Sequence, residues 1–489
     1  MIPAGELARL QYIPTVPEFL QWIEEQYPDS PAISNIEKTY SYKEFCNNIG
    51  RRRALLNSLG LEKGSHVAIL DRNTIDAVEL FLAITSAGYV SMFLPASLPA
   101  PAVAGCCKKF RISALFVAES LRESASAVEG VKILDSTATG EVIDPVTPVD
   151  KDAPASIFFT GGSTGAPKGA VLPHRALMRG SLNGCFSPGS VIGDQKYIGF
   201  LPLSHVFGAI RGLISIFYTG NLWYECPDIK AMMPKLQVIK PTTLVLVPGL
   251  CEVLAGLVKM YGIQFLGGAL KTIIAGAANV PPRLISVFDS FGIQLLAGYG
   301  LTEGANLSTG NADVKALPTS IGKFYPGQEY KLVDGELWIK GDNVFLGYYN
   351  DPENTKAALT EDGWLRTGDL ARIDEDGFAY ITGRIKNLII LSNGENVSPE
   401  SIEEPFYADD FVRDAIAKED VVDDRQVIAI EILPNLQAFG GAPFEEVEKY
   451  MNDLVGKINA TLPTTHRISK VTVRTEDFKR TGSLKVSRI

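Results

Sequence analysis

Across about the first 300 of 489 residues, short β-forming apolar runs alternate with amphipathic helical stretches, and this alternation constrains the fold most. "HVAILD" (His66–Asp71), "ALFVAE" (Ala114–Glu119) and "TTLVLVP" (Thr242–Pro248) read as buried strands. Between such runs lie helical patterns such as Ala77–Ser86, and Ser41 and Glu44 fit a capping box ahead of a helix through Leu55, Leu56 and Leu59. Strands that alternate with helices predict an α/β architecture with largely parallel sheets.

After about Leu332 the texture changes to short strands with hairpin punctuation: "KLVDGELWIKG", "GYYNDPENT" and "DEDGFAYITGR". The Asp334–Gly335 and Asp376–Gly377 pairs are hairpin signals. From Asn387 to Ile489 the pattern is mixed α+β, with a long helix around Phe444–Leu462 and a strand in "SKVTVRT". A chain of this length exceeds one ordinary core. The boundary is placed in "TGRIKN" (Thr382–Asn387), giving an N-terminal domain over 1–385 and a small C-terminal domain over 386–489.

Charge and composition exclude several partners. A formal net charge of −10 leaves no basic footprint for nucleic acid or an anionic membrane, and Arg51–Arg53 reads as one solvated helix face. The apolar region Leu80–Gly105 is cut by serines, glycines and prolines, so it lacks the roughly 18 uninterrupted apolar residues of a membrane span. The six cysteines have no CxxC spacing and there are four histidines, a pattern of free thiols in a reducing cytosol rather than a zinc site. The amino terminus carries no signal-peptide pattern, and a cytoplasmic location is expected.

The stretch "IFFTGGSTGAPKGAVLPH" (Ile157–His174) runs from a strand into four glycines, three hydroxyls and a lysine. It does not match a nucleoside-triphosphate P-loop, because Ala166 and Pro167 separate Gly165 from Lys168. The physics is similar. Gly161, Gly162 and Gly165 let backbone N–H groups approach an anion, while Thr160, Ser163 and Thr164 add hydroxyl donors. Taken alone, the loop is either an anion nest or a flexible surface turn.

Three further stretches extend the pattern: "AGYGLTEGA" (Ala297–Ala305), "GWLRTGDLARIDEDGFAYITGRIKNLIILSNGENVSPESIEE" (Gly363–Glu404) and the terminal "FKRTGSLKVSR". Together with the loop, and in this order, they resemble the adenylate-forming superfamily: acyl-CoA synthetases, adenylation domains and beetle luciferases. The resemblance covers essentially the whole chain. It implies a large N-terminal domain of two packed α/β subdomains plus a small β-rich subdomain, followed by a mobile α+β C-terminal domain.

The resemblance also implies roles. The loop would wrap the β/γ-phosphates of ATP, with Lys168 as counter-charge. Thr302 matches the α-phosphate ligand and Glu303 the magnesium ligand. Tyr299 would stack on adenine against a wall formed by Gly276, Ala277 and Ala278, and Asp369 would accept the ribose hydroxyls with help from Arg384. Lys485 would bridge the attacking carboxylate and the α-phosphate, with Lys479 the lesser alternative. Lys386 falls at the hinge position, and Gly394 and Asn396 near the thiol tunnel. His205 would close the acyl pocket, whose walls would include Phe207, Val247, Pro248, Gly298 and Leu301. Two positions depart from the family pattern: Gly161 stands where a serine usually follows the first threonine, and Leu484 stands before Lys485 in place of the usual glycine.

Amino-acid-activating members carry an aspartate in the region matching "LPLSHVFGAI" (Leu201–Ile210), which here has no acid. The expected activity is therefore ATP-dependent adenylation of a fatty or aryl carboxylic acid, with release of pyrophosphate and transfer to coenzyme A. The phosphopantetheine arm of an acyl carrier protein is an alternative acceptor, and a non-catalytic adenylate-binding protein is the remaining reading. Arg211 reads as an ordinary helix-face cation, or, if inside the pocket, as the partner of a second substrate carboxylate.

Overall fold

The computed structural model describes residues 10–160, 168–186, 192–311, 313–391, 395–422 and 425–479. The first sheet has seven strands in the order Gly347–Tyr348, Lys168–Pro173, Pro154–Thr160, Val90–Phe93, His66–Leu70, Ile112–Val117 and Lys132–Asp135. The last five of these are mutually parallel, as the βα alternation predicts. A second sheet runs Thr243–Leu246, Thr272–Ala275, Gln294–Tyr299, Thr309–Asn311 and Lys323–Phe324, with its first three strands parallel. Each sheet buries its own apolar cluster, centred on residues such as Phe81 and Phe116 in one and Leu244 and Leu284 in the other.

The hairpin signals mark an antiparallel meander of Gln328–Val333, Glu336–Gly341, Leu365–Ile373 and Ala379–Arg384. Asp334 and Gly335 both take positive φ (50° and 82°), as a two-residue turn matching strand twist requires. Beyond it, Val412–Val422, Arg425–Pro434 and Ile468–Val473 form a three-stranded sheet covered by the helix Phe444–Asn459, with a separate core around Ile402, Ile430 and Met451. This is the expected large α/β portion with a β-rich part and a smaller α+β portion.

The capping box is present: Ser41 accepts from the Glu44 N–H, and Glu44 accepts from the Ser41 N–H, at the start of the helix Tyr42–Ser58. That helix corrects the reading of Arg51–Arg53 as a solvated face. Only Arg51 is exposed; Arg52 is 4% exposed and Arg53 is also buried. Arg52 donates to Glu79 (2.9 Å), to Asp76 and to the carbonyls of Ser136 and Ala138. Arg53 donates to Ser86 Oγ (3.0 Å) and to the Asp144 carbonyl. A buried charge is tolerated only with such partners. Among the described residues no helix is long and apolar enough to cross a membrane.

His174 opens the helix His174–Cys185, fully buried, and its Nδ1 accepts the Val16 N–H at 3.3 Å. Burial pushes its pKa down from 6.5 to about 4. Between those values the unfolded chain binds the proton and the folded one does not, so stability falls as pH drops from 6.5 towards 4, by up to about 1.4 kcal/mol per unit. Urea unfolding of the native protein and His174→Asn over pH 7.5–4.5 checks this; the variant should show a shallower decline.

Candidate active site

The glycine-rich segment closes a β-hairpin. Thr160 and Lys168 are cross-strand partners of the antiparallel pair Pro154–Thr160 and Lys168–Pro173, and a helix begins only at His174. A P-loop passes directly from strand to helix, so the topology agrees with the sequence mismatch. The loop residues Gly161, Gly162, Ser163, Thr164 and Gly165 lie outside the described residues, as do Gly394 and Lys485.

The second sheet supplies a rim. Leu246, Ala275 and Ala297 are in register across three parallel strands, so Val247, Gly276 and Gly298 emerge together at their carboxyl ends. That edge is where open α/β sheets place ligands. Phe207, 7% exposed, packs against this rim, since a Cβ on Gly276 would lie 2.9 Å from its ring. Ala277 is held at φ 68°, a left-handed conformation that orders the "AGAAN" turn, and Ala278 is exposed beside it. Phe207 also begins a π-helix, Phe207–Ile214, just after the half-buried His205. Such wide turns concentrate at functional sites. Arg211 lies inside this helix, 1% exposed and 6.0 Å from the Tyr197 ring centre, which corrects the reading of it as a helix-face cation.

Past Gly298, the strand leads through Tyr299 and Leu301 into a tight turn, Thr302–Gly304. Gly300 is obligatory there, because a Cβ would sit 1.1 Å from the Asn306 carbonyl oxygen. The turn is fixed from the far side: Phe345 N–H donates to the Glu303 carbonyl (2.9 Å) and Asn343 Nδ2 to that of Gly304 (3.1 Å).

Three expected site residues meet at Asp369. This carboxylate, 3% exposed, accepts the Tyr299 hydroxyl at 2.6 Å and is paired with Arg384, which stands directly opposite it in the meander. Arg384 therefore pairs with Asp369 and not with Asp374, which is engaged by Tyr380 and Phe378 N–H. Burial and the adjacent Asp369 charge raise the Tyr299 pKa well above its usual value. For Arg384 burial acts downward, but the Asp369 hydrogen bond and charge outweigh it and the pKa is raised. Lys386 follows Arg384 at the strand end; desolvation and the Arg384 charge lower its pKa, with Asp369 and Glu303 opposing.

Glu303 receives the Tyr348 hydroxyl on Oε1 at 2.6 Å, and Lys168 Nζ donates to Asn354 Oδ1 at 2.5 Å. Burial, then Glu303, raise the Tyr348 pKa. Tyr348 and Asn354 were not legible as site residues, since "GYYNDPENT" reads as turn chemistry; the usable signal was the Asp351-Pro352 helix start, which fixes Asn354. Asn396 is exposed and paired with Ile390 in a two-stranded ribbon.

The carboxyl ends of the second sheet's parallel strands thus lead directly to Tyr299 and Glu303, with Asp369 and Arg384 joined to them through Tyr299. The AMP-binding enzyme family matches residues 20–349, and the AMP-binding enzyme C-terminal domain matches 386–489. The chain belongs to the AMP-binding enzyme family. A long-chain-fatty-acid–CoA ligase, FadD15, of Mycobacterium bovis is 28% identical over 474 residues, covering 81% of this chain and 78% of that protein. Fatty acyl-CoA synthetase A of Dictyostelium discoideum is 28% identical over 76% of this chain and 69% of that one. The fold matches ATP-bound MatB from Rhodopseudomonas palustris with a TM-score of 0.83 at 24% identity, over 96% of this chain and 97% of that chain.

Proposed function

We propose that this chain is an AMP-forming acid–thiol ligase that activates an apolar carboxylic acid and passes the acyl group to coenzyme A. The observation that carries the reading is the convergence of Glu303, Tyr299, Asp369 and Arg384 on the rim that also bears Phe207 and Gly276. Relatives named as fatty-acid–CoA ligases support both the acid class and the acceptor.

In the first step a substrate carboxylate oxygen bonds to the α-phosphorus of ATP, and the bond to the β-phosphate oxygen breaks, releasing pyrophosphate. In the second a thiolate sulfur attacks the acyl carbon and AMP leaves, the thiol proton passing to solvent. Asp369, an acceptor-only carboxylate, suits the ribose hydroxyls, and Arg384 steadies it. Tyr299 and the Gly276–Ala278 turn would sandwich adenine, with Thr302 on the α-phosphate. The loop through Thr160 and Lys168 would hold the pyrophosphate end, and His205 with Phe207 would close the acyl side near Val247, Gly298 and Leu301. Glu303 fits magnesium: its half-buried carboxylate is a hard oxygen donor already oriented on one side by Tyr348, and a bound ion would neutralise phosphate charge. Residues 386–489 would act as a domain hinged near Lys386, bringing first Lys485 and then the face with Gly394 and Asn396.

Acid-dependent ATP–pyrophosphate exchange across a panel of acids tests this, followed by mass spectrometry of products with coenzyme A and with holo-carrier protein. Exchange with apolar acids and an acyl-CoA product are expected. Exchange with no acid would leave a nucleotide-binding protein without the chemistry, and acylation of carrier protein alone would change the acceptor.

A further inference from the structure

The segment that joins the meander strands Glu336–Gly341 and Leu365–Ile373 contacts two of the charged groups proposed for nucleotide binding. Its strand Gly347–Tyr348 pairs antiparallel with Lys168–Pro173, Tyr348 opposite Ala170. From there the Tyr348 hydroxyl reaches Glu303 Oε1 at 2.6 Å, and the Lys168 ammonium lies 5.0 Å over the centre of the same ring. The same ammonium donates to Asn354 Oδ1 at 2.5 Å. Asn354 is itself immobilised, because its Nδ2 donates to both Asp351 carboxylate oxygens at 2.9 and 2.8 Å. Thr355 closes the unit: its Oγ1 accepts the Tyr348 N–H (2.9 Å) and donates to the Asp351 carbonyl (2.7 Å). A short stretch thus contacts both the acid and the cation proposed for the nucleotide phosphates.

We propose that Tyr348 and Asn354 are positioning residues for nucleotide binding, Tyr348 orienting the Glu303 carboxylate and Asn354 aiming Lys168. The inference rests on the proposed ATP site and adds the elements that set it up. A carboxylate that must hold a cation keeps one oxygen for it when the other is tied by a hydrogen bond, and losing such a support costs about 10–100-fold in metal affinity. Asn354 takes one of three ammonium protons and leaves two for a phosphate.

The two residues differ in their predicted dependence on magnesium. ATP binding is measured by isothermal titration on the full chain, without acid, in excess magnesium and in EDTA. Tyr348→Phe keeps the ring and removes the hydroxyl; it should cut the magnesium-dependent gain in affinity about tenfold and leave binding in EDTA unchanged. Asn354→Ala should weaken binding severalfold in both media, and should add nothing in a Lys168→Ala background.

A merely structural role for Tyr348 would lower both affinities together, and that result overturns its part. An Asn354→Ala effect that persists undiminished with Lys168→Ala overturns the other. Glu303→Gln separates the levels: if it abolishes the magnesium gain while Tyr348→Phe does not, the positioning role falls alone. If Glu303→Gln leaves the gain intact, the metal assignment of Glu303 falls, and the Tyr348 role with it.

Discussion

Asp369→Ala should raise the ATP concentration needed for acid-dependent pyrophosphate exchange by about two orders of magnitude, and weaken ATP binding in parallel. Two ribose hydroxyls would lose a shared anionic acceptor, and a hydrogen bond to a charged group contributes about 1.5–3 kcal/mol. The loss extends to the protein's own groups. Tyr299 would lose the acceptor that fixes its hydroxyl at 2.6 Å, and Arg384 the carboxylate it pairs with across the meander. Asp369→Asn keeps the shape and one acceptor, so it should fall between the native protein and the alanine variant. Dependence on acid concentration should move far less than dependence on ATP. An ATP requirement unchanged in Asp369→Ala would remove this residue from the ribose site.

The parts of the fold legible in the sequence are those set by local pattern. Strands at His66–Leu70 and Thr243–Leu246 follow from apolar β-forming runs, and the Asp334–Gly335 turn follows from a residue pair that tolerates positive φ. The misreading of Arg51–Arg53 has a physical cause. At 3.6 residues per turn, three consecutive side chains fan around the helix, so a run of arginines cannot share one face. The partners that let Arg52 be buried, Asp76 and Glu79, lie on the next helix, and nothing local announces them. The site divides the same way. Asp369 and Arg384 were visible through the resemblance, and their pairing is a consequence of strand register. Tyr348 meets Glu303 from 45 residues away, through a sheet edge that only the assembled fold creates. The need for glycine at position 300 likewise depends on where Asn306 returns.

Lys485→Ala should lower acid-dependent adenylation by about 10²–10³-fold while thiolysis of a supplied acyl-adenylate stays within about threefold of the native rate. Lys485 lies outside the described residues, and its assignment rests on its spacing from Arg480 and Thr481 in "FKRTGSLKVSR". The reasoning is electrostatic. Joining a carboxylate to a triphosphate brings two anions together, and a placed ammonium both orients them and offsets the charge that builds at the α-phosphate. Thiolysis attacks a neutral acyl carbon and expels AMP, so it makes no such demand on the same ammonium. Among the described cations near this site, Arg384 is paired with Asp369, while Lys168 and Lys386 are proposed for the pyrophosphate end and the hinge. Lys479, the exposed lysine of the same stretch, is the control: Lys479→Ala should leave both half-reactions near native. Measuring the two half-reactions separately on each variant decides the matter. Equal losses in both steps for Lys485→Ala would mean that this lysine serves the fold or the nucleotide alone, and the proposal of one domain presenting two faces in turn would lose its chemical basis.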